Sequence, residues 1–185
     1  MVEAVPTAPP ARWHRLRPWL GTAARLGLSG VFIAAGASKA GDLAASARAV
    51  DAYELAPYQV SAAIGAALPF VELALGTLLL VGLATRLVAA VTGAALLVFI
   101  AGIASAWARG LTIDCGCFGE GGQLPAGVTP TYAVEILKDV GLLALAAYLV
   151  VYPLTRLSLD ARLSTAVPAV AVPAAAGPAA RDGDA

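Results

Sequence analysis

Charged residues are scarce in this 185-residue sequence, where they make up 13% of the chain and the 12 basic and 12 acidic side chains cancel to a net charge of zero. That share is about half of what a soluble domain usually carries. Apolar residues account for 59% of the chain, which moves it out of the soluble and disordered classes. We therefore expect an integral membrane protein.

Other absences exclude further classes of protein. Without net positive charge, the chain lacks the electrostatic footprint that a nucleic-acid binder needs. Two cysteines are too few to staple a chain of this length into a secreted disulfide scaffold. The single histidine, His14, excludes bis-histidine haem and histidine-rich metal centres.

Four apolar runs have the roughly 17 to 25 residues that cross a hydrocarbon core about 30 Å thick. The runs cover residues 20–37, 60–81, 87–108 and 136–154. Because lipid offers no partner to an unpaired backbone group, each run should be helical. The predicted fold class is all-α, a four-helix membrane bundle over residues 20–155. Small residues four apart, such as Gly30 and Ala34, favour close helix packing.

The two flanking segments are predicted to be unstructured. Residues 1–19 hold four prolines and three arginines without an apolar run, which indicates a flexible basic arm. Residues 156–185 are rich in Ala and Pro and lack a periodic apolar face, which predicts a disordered tail. The small-residue site at 35–37 would also allow the first run to be a cleaved signal peptide. The long arm before this run and the hydrophobic body after it favour a retained span.

The distribution of Lys and Arg predicts the orientation of the bundle. With four spans, one side holds both termini and the 82–86 turn, and the other side holds the loops 39–59 and 109–135. The first side carries these arginines: Arg12, Arg15, Arg17, Arg86, Arg156, Arg162 and Arg181. The second side carries only Lys39, Arg48 and Arg109. We therefore expect a multi-pass plasma-membrane protein with cytoplasmic N and C termini and outward-facing loops.

The most specific local pattern is the outward turn Asp114-Cys115-Gly116-Cys117-Phe118-Gly119. A free cysteine is usually buried among apolar residues, and this glycine-rich, acidic turn is not such a place. A disulfide across one residue needs Cα atoms within about 4.4 to 6.8 Å and would be strained, and strained exposed disulfides are the labile, catalytic kind. Thiol–disulfide exchange at Cys115 and Cys117 is the favoured interpretation. The alternatives are a permanent loop disulfide and a metal site that uses Asp114 or Glu120.

A second pattern is a carboxylate deep inside an apolar run, Glu72, which needs a partner within the bundle. Arg25, in the first run, lies at a similar depth and is the predicted partner. Such a pair could hold two helices in register, relay protons or anchor the head group of a quinone, and Arg25 could instead snorkel to the inner surface. Pro69, three residues before Glu72, is expected to loosen its helix.

A third cluster, Glu135, Lys138 and Asp139, begins the last apolar run with side chains on one face below the cysteine turn. A lysine close to a thiol lowers its pKa, whereas acidic neighbours raise it. The cluster could therefore tune the cysteines. The alternative is a ladder of charges that marks the helix end at the membrane interface.

These features together resemble the MauE branch of the DoxX-like membrane proteins over about residues 20–155. The resemblance is carried by the four-run layout and by several motifs: Lys39 at the end of the first run, Tyr53-x-Leu55-x-Pro57, Pro69-x-x-Glu72-Leu73 with Gly76 beyond it, the cysteine turn and Lys138-Asp139. It implies that Cys115 and Cys117 exchange disulfides or electrons with an extracytoplasmic thioredoxin-like protein that matures an enzyme subunit, as in methylamine utilisation. The chain would then be a component of a thiol–disulfide oxidoreductase.

One cysteine pair leaves two routes for the electrons. The protein either passes them straight to a membrane quinone or serves as the docking and recycling subunit for a partner that holds a second pair. Two other classes of function stay open. One is a non-catalytic membrane scaffold with a structural loop disulfide, and the other is a small transporter or proton path that uses Glu72.

Overall fold

The computed structural model describes residues 11–116, 121–153 and 155–166, and most of them are helical. The helices follow in chain order: α1 Ala11–Ala40, α2 Leu43–Asp51, α3 Tyr58–Val81, α4 Thr85–Ala108, α5 Tyr132–Val151 and α6 Leu159–Ala166. Between α4 and α5, the two-residue strands β1 (Ile113–Asp114) and β2 (Gly122–Gln123) pair antiparallel. The all-α fold class is confirmed.

Three helices are long and apolar enough to cross a membrane, and they contain Leu16–Ala40, Tyr58–Val81 and Thr85–Ala108. A helix of 24 residues is about 36 Å long, which exceeds a hydrocarbon core of about 30 Å. The chain is therefore a multi-pass membrane protein. Helix α5 packs along α4 and α1, but its first two turns carry Glu135, Lys138 and Asp139. Its role as a fourth span stays a prediction.

Helix α1 begins at Ala11 rather than at residue 20, so part of the segment predicted to be a flexible arm is helical. Contacts with the end of α5 hold this first part of the helix. The Tyr148 hydroxyl donates to the backbone oxygen of Arg17 at 3.3 Å, and the Arg17 guanidinium lies 3.6 Å from the ring centroid of Tyr152. The rest of the predicted arm, residues 1–10, lies outside the described residues.

Helix α6 also lies in a segment that was predicted to be disordered, and it closes the end of the bundle that holds the α3–α4 turn. The carboxylate of Asp160 accepts the backbone N–H groups of Ala84 and Thr85, each at 2.8 Å. The N–H of Asp160 donates to the Gly82 oxygen at 3.1 Å. The two bonds to the Asp160 carboxylate cap the start of α4 with a side chain from α6. Residues 167–185 lie outside the described residues.

Helices α1 and α3 run antiparallel with their backbones in close contact. A Cβ atom placed on Gly36 would lie 2.7 Å from the Pro69 oxygen, and one on Gly76 would lie 2.9 Å from the Ile33 nitrogen. Only glycine fits at these two positions. The small-residue contact expected at Gly30 is not made, because nothing lies within 4 Å of a Cβ placed there.

Helix α2 occupies the loop 39–59, for which no helix was predicted. Asp42 caps it by accepting the Ala45 N–H at 2.8 Å. The helix lies directly on α3, since a Cβ on Gly65 would come within 2.5 Å of the Ala47 Cα. This contact brings the loop 39–59 against the apolar helices of the bundle.

Pro69 does not interrupt α3, which continues from Tyr58 to Val81. A proline has no N–H, so the oxygen of Gly65, four residues earlier, loses its helical donor. The hydroxyl of Ser46, on α2, donates to that oxygen at 2.7 Å instead. The expected loosening at Pro69 is thus offset by a side chain from the neighbouring helix.

Candidate functional site

A small β-hairpin carries the cysteine turn. Strands β1 and β2 pair Ile113 with Gln123 and Asp114 with Gly122, so the turn lies between them. Cys115 is half-buried directly after β1, and Cys117 lies outside the described residues. Exposed Asp114 accepts a hydrogen bond from the Gly116 N–H at 2.9 Å. This Asx turn fixes the backbone on both sides of Cys115.

Two tyrosines tie this hairpin to the bundle. The Tyr53 hydroxyl, from the segment after α2, donates to the Cys115 oxygen at 3.0 Å. The Tyr132 hydroxyl, at the start of α5, donates to the Leu111 oxygen at 2.6 Å and accepts the Ile113 N–H at 3.1 Å. The segment after α2, the segment after α4 and α5 therefore together set the position of Cys115.

Glu72 is buried and paired with Lys39, not with Arg25 as the sequence predicted. The Lys39 Nζ lies 2.6 Å from one Glu72 carboxylate oxygen and 2.8 Å from the other. Only 5% of Lys39 and 4% of Glu72 is exposed. The low dielectric of the interior makes such a contact strong once both charges are there.

Arg25 lies at the opposite end of the bundle and binds backbone oxygens. Its guanidinium donates to the Leu79 and Leu80 oxygens at 2.7 and 2.8 Å, at the last turn of α3. It also donates to the Leu157 oxygen at 3.1 Å. The side chain is 1% exposed, so it neither pairs with Glu72 nor snorkels to the surface. It joins the middle of α1 to the last turn of α3 and to the segment before α6.

Helix geometry explains why Lys39, which the sequence placed at the membrane interface, reaches Glu72. Gly36 and Pro69 are in contact where α1 and α3 meet. A Cα–Cβ bond leans toward the N-terminus of its helix, so Lys39 leans back toward Gly36 while Glu72 leans back toward Pro69. The two side chains converge from opposite directions. The antiparallel register was the signal that could have identified this pair.

An inner cavity of about 60 Å³ lies beside this ion pair. Its polar lining residues come from α1, the segment after α2, α3, the cysteine turn and α5: Lys39, Tyr53, Glu72, Cys115 and Asp139. Water occupies about 30 Å³ per molecule in the liquid, so the volume corresponds to about two waters. The structure thus brings the first cysteine of the turn to the same cavity as a buried cation and two carboxylates.

The charged cluster at the start of α5 divides between two environments. Lys138 binds Glu135 at 2.7 Å and is about half exposed. Asp139 is buried, with 7% exposed, and lines the inner cavity. Its Oδ2 has no hydrogen-bond partner among the described residues. Asp139 shares the inner cavity with Cys115, Glu135 lines a separate cavity with Cys115, and Lys138 lines neither of the two.

A wider outer cavity of about 210 Å³ borders the inner one. Lys39, Tyr53 and Cys115 line both cavities. Away from them, the outer cavity reaches Ile64 on α3 and Val98 on α4, whose side chains are exposed. The outer cavity therefore extends from the cysteine turn to the outer surface of the helices.

The described residues contain no group of three His, Cys, Asp or Glu side chains that could hold a metal ion. Of the two residues named for the alternative metal site, Asp114 is bonded to the Gly116 N–H. Glu120 lies outside the described residues.

The family model for methylamine utilisation protein MauE matches residues 17–152. The chain belongs to the MauE family. The match includes α2 to α5, most of α1 and the whole candidate site. Searches of curated proteins and of solved structures returned no match. The MauE resemblance of the sequence is thereby confirmed, and the wider DoxX-like grouping stays a prediction.

Proposed function

We propose that this MauE-family membrane protein exchanges disulfides, through Cys115 and Cys117, with an extracytoplasmic thioredoxin-like partner. The observation that carries the proposal is the position of Cys115. The residue is held in a hairpin at one end of the bundle and lines a cavity with buried charged groups. A cysteine that served only for packing would need neither arrangement.

The exchange is a two-electron reaction. A thiolate of the partner's reduced pair attacks one sulfur of the Cys115–Cys117 disulfide, breaks the S–S bond and forms a mixed disulfide. The partner's second thiolate then attacks the mixed disulfide and releases this chain's dithiol. The partner leaves oxidised, and two electrons and two protons have passed to the Cys115/Cys117 pair.

The proposal places the cysteine turn outside the plasma membrane and both termini in the cytoplasm. The Lys and Arg count supports this orientation, because the end with Arg17, Arg86 and Arg156 is the more basic one. The extracytoplasmic compartment is also the oxidising one, where disulfides form and persist.

Trapping the mixed disulfide tests the proposal. Each single variant, Cys115→Ser and Cys117→Ser, keeps one thiol, which can attack the disulfide of the oxidised partner to form the mixed disulfide, but it lacks the second thiol that would release the partner's dithiol. One of the two should accumulate a covalent adduct with an exported thioredoxin-like protein that disappears on reduction. The double variant is the matched control and should give no adduct. If neither single variant forms the adduct and the partner's redox state is unchanged in both, the cysteines serve as a structural loop disulfide of a scaffold.

A further inference from the structure

We propose that the inner and outer cavities together bind the ring of a lipid-soluble quinone, which oxidises the reduced cysteine pair. The inference rests on the proposed function, because it names the electron acceptor for the same cysteines.

The outer cavity offers a path from the bilayer. It lies between α2, α3 and α4 and is lined mainly by apolar side chains. Helix α3 packs chiefly on α1 and α2, and α4 packs chiefly on α5, while α3 and α4 make few contacts with each other. Ile64 is 50% exposed and Val98 is 68% exposed on the outer faces of the helices. An apolar molecule dissolved in lipid can therefore enter sideways, without passing through water.

The volume of the outer cavity suits an aromatic-sized ring. An apolar cavity of about 150 Å³ is sufficient to bind benzene, and the outer cavity measures about 210 Å³. The inner cavity adds only about 60 Å³, which is room for an oxygen substituent at the end of the ring. An isoprenoid tail would remain between the helices and the lipid.

The inner cavity supplies the polar groups that the two redox states of a quinone need. The Lys39 ammonium has three N–H donors, and Glu72 accepts two hydrogen bonds from it. The third N–H can donate to a quinone carbonyl oxygen. Asp139 is buried, with 7% of the residue exposed. Its Oδ2 has no hydrogen-bond partner among the described residues. It can accept the O–H of the hydroquinone.

The reaction balances as a transfer of two electrons and two protons. The S–H bonds of Cys115 and Cys117 break, one S–S bond forms, and the quinone carbonyl oxygens gain two O–H bonds. The dithiol is oxidised to the disulfide while the quinone is reduced to the hydroquinone. The disulfide is then ready for another reduced partner.

Closing the lateral opening tests the site. Val98→Trp places a large ring at the mouth of the outer cavity. Val91→Trp is the matched control, because Val91 lies seven residues earlier, about two turns away on the same face of α4. It is also exposed and is not among the residues that line either cavity. Both variants are purified as full-length chains in lipid nanodiscs and reduced with dithiothreitol, which is then removed.

A short-chain ubiquinone is then added, and thiol loss and hydroquinone formation are followed together. The Val91→Trp variant should oxidise at the rate of the unchanged protein, while Val98→Trp should be slower by about tenfold or more, the effect of losing about 1.4 kcal/mol of binding. Oxidation by water-soluble glutathione disulfide should be equal in all three proteins. Equal rates with the quinone, or thiol loss without hydroquinone, would overturn the quinone site. If partner exchange still occurs in that case, the proposed function survives alone.

Discussion

Lys39 and Glu72 carry opposite charges inside the bundle, and each buried charge depends on the other for its stabilisation. Each group is about 95% buried, since 5% and 4% of the two residues is exposed. Removing one partner of such a pair leaves an uncompensated buried charge, while replacing both with apolar residues is often close to neutral. Removal of one partner should therefore affect stability much more than removal of both.

We predict that Lys39→Met and Glu72→Leu each lower the free energy of unfolding by about 3 to 5 kcal/mol. The double variant Lys39→Met/Glu72→Leu should recover most of that loss, because no charge remains buried. Thermal unfolding in detergent micelles measures all three. Glu135→Gln is the control: it breaks a partly exposed ion pair with Lys138 and should cost less than about 1 kcal/mol. A double variant as unstable as the sum of its singles would contradict this account.

At the scale of helices, α2 and α3 depend on each other through one hydroxyl group. Ser46 supplies the donor that Pro69 cannot give to the Gly65 oxygen. A buried acceptor left without a partner costs about 1 to 3 kcal/mol. The contact also locks α2 in place above α3, beside the cavity that reaches the cysteine turn.

We predict that Ser46→Ala destabilises the protein by about 1 to 3 kcal/mol. In a Pro69→Ala background the same substitution should cost clearly less, because residue 69 then regains an N–H for the Gly65 oxygen. A double-mutant cycle on unfolding in micelles gives the coupling energy. Equal costs of Ser46→Ala in both backgrounds would show that this oxygen does not need the hydroxyl.

The cap of α4 gives a pH-dependent contribution to stability. Burial acts to raise the pKa of Asp160, but hydrogen bonds from Thr85 and Ala84 lower it overall. A carboxyl with a lowered folded pKa stabilises the fold above its unfolded pKa of about 3.9, and that stability is lost as the pH falls through the folded value.

We predict that Asp160→Ala costs about 0.5 to 2 kcal/mol at neutral pH, as the loss of a helix cap does. The difference from the unchanged protein should shrink as the pH falls below about 4. Asp160→Asn keeps an acceptor oxygen, so it should retain part of the stability and remove its pH dependence. Chemical unfolding measured across this pH range provides the comparison, and a difference that stays constant with pH would exclude the charge as its source.

Hydropathy was sufficient to predict the bounds of α3 and α4. They were predicted over 60–81 and 87–108 and are observed as Tyr58–Val81 and Thr85–Ala108. Hydropathy did not predict α2 and α6, because these short helices are stabilised by contacts with other parts of the chain and not by a long apolar run. Ser46 and Asp160 make their decisive bonds to Gly65 and to Ala84 and Thr85, far away in sequence. Such contacts depend on the register of helices, which composition does not encode.

The candidate site was predictable by residue type but not by pairing. Cys115 was singled out as a thiol in a wet turn and Glu72 as a carboxylate deep inside an apolar run. Asp139 was named only as part of the charged cluster below the cysteine turn. Which cation reaches Glu72 depends on where α1 and α3 cross, at Gly36 and Pro69. The depth of Arg25 in its apolar run therefore did not identify the partner of Glu72.

For the whole molecule, the loop after α1 and the loop after α4 meet at one end of the bundle and the α3–α4 turn lies at the other. Hydrogen bonds join the first loop to the second through Tyr53 and Cys115. At the far end, Gly82 is bonded to Asp160. The two ends should therefore label from opposite sides of the membrane.

We predict that, in a Cys115→Ser/Cys117→Ser background, Thr129→Cys reacts with a membrane-impermeant maleimide in intact cells. Arg86→Cys should react only after the membrane is permeabilised. Both positions are exposed, so accessibility within the protein does not differ. Labelling of Arg86→Cys alone in intact cells would reverse the orientation and put the cysteine turn in the cytoplasm.

Arg25 lies near the start of the chain, yet its guanidinium binds oxygens at the end of α3 and at Leu157. Asp160 likewise completes the start of α4. During synthesis these late residues leave the ribosome after α1, α3 and α4 have been made. The end of the bundle that holds Leu157 and α6 is consequently the last part to close. A ribosome that stalls before Leu157 leaves the Arg25 guanidinium without one of its acceptor oxygens.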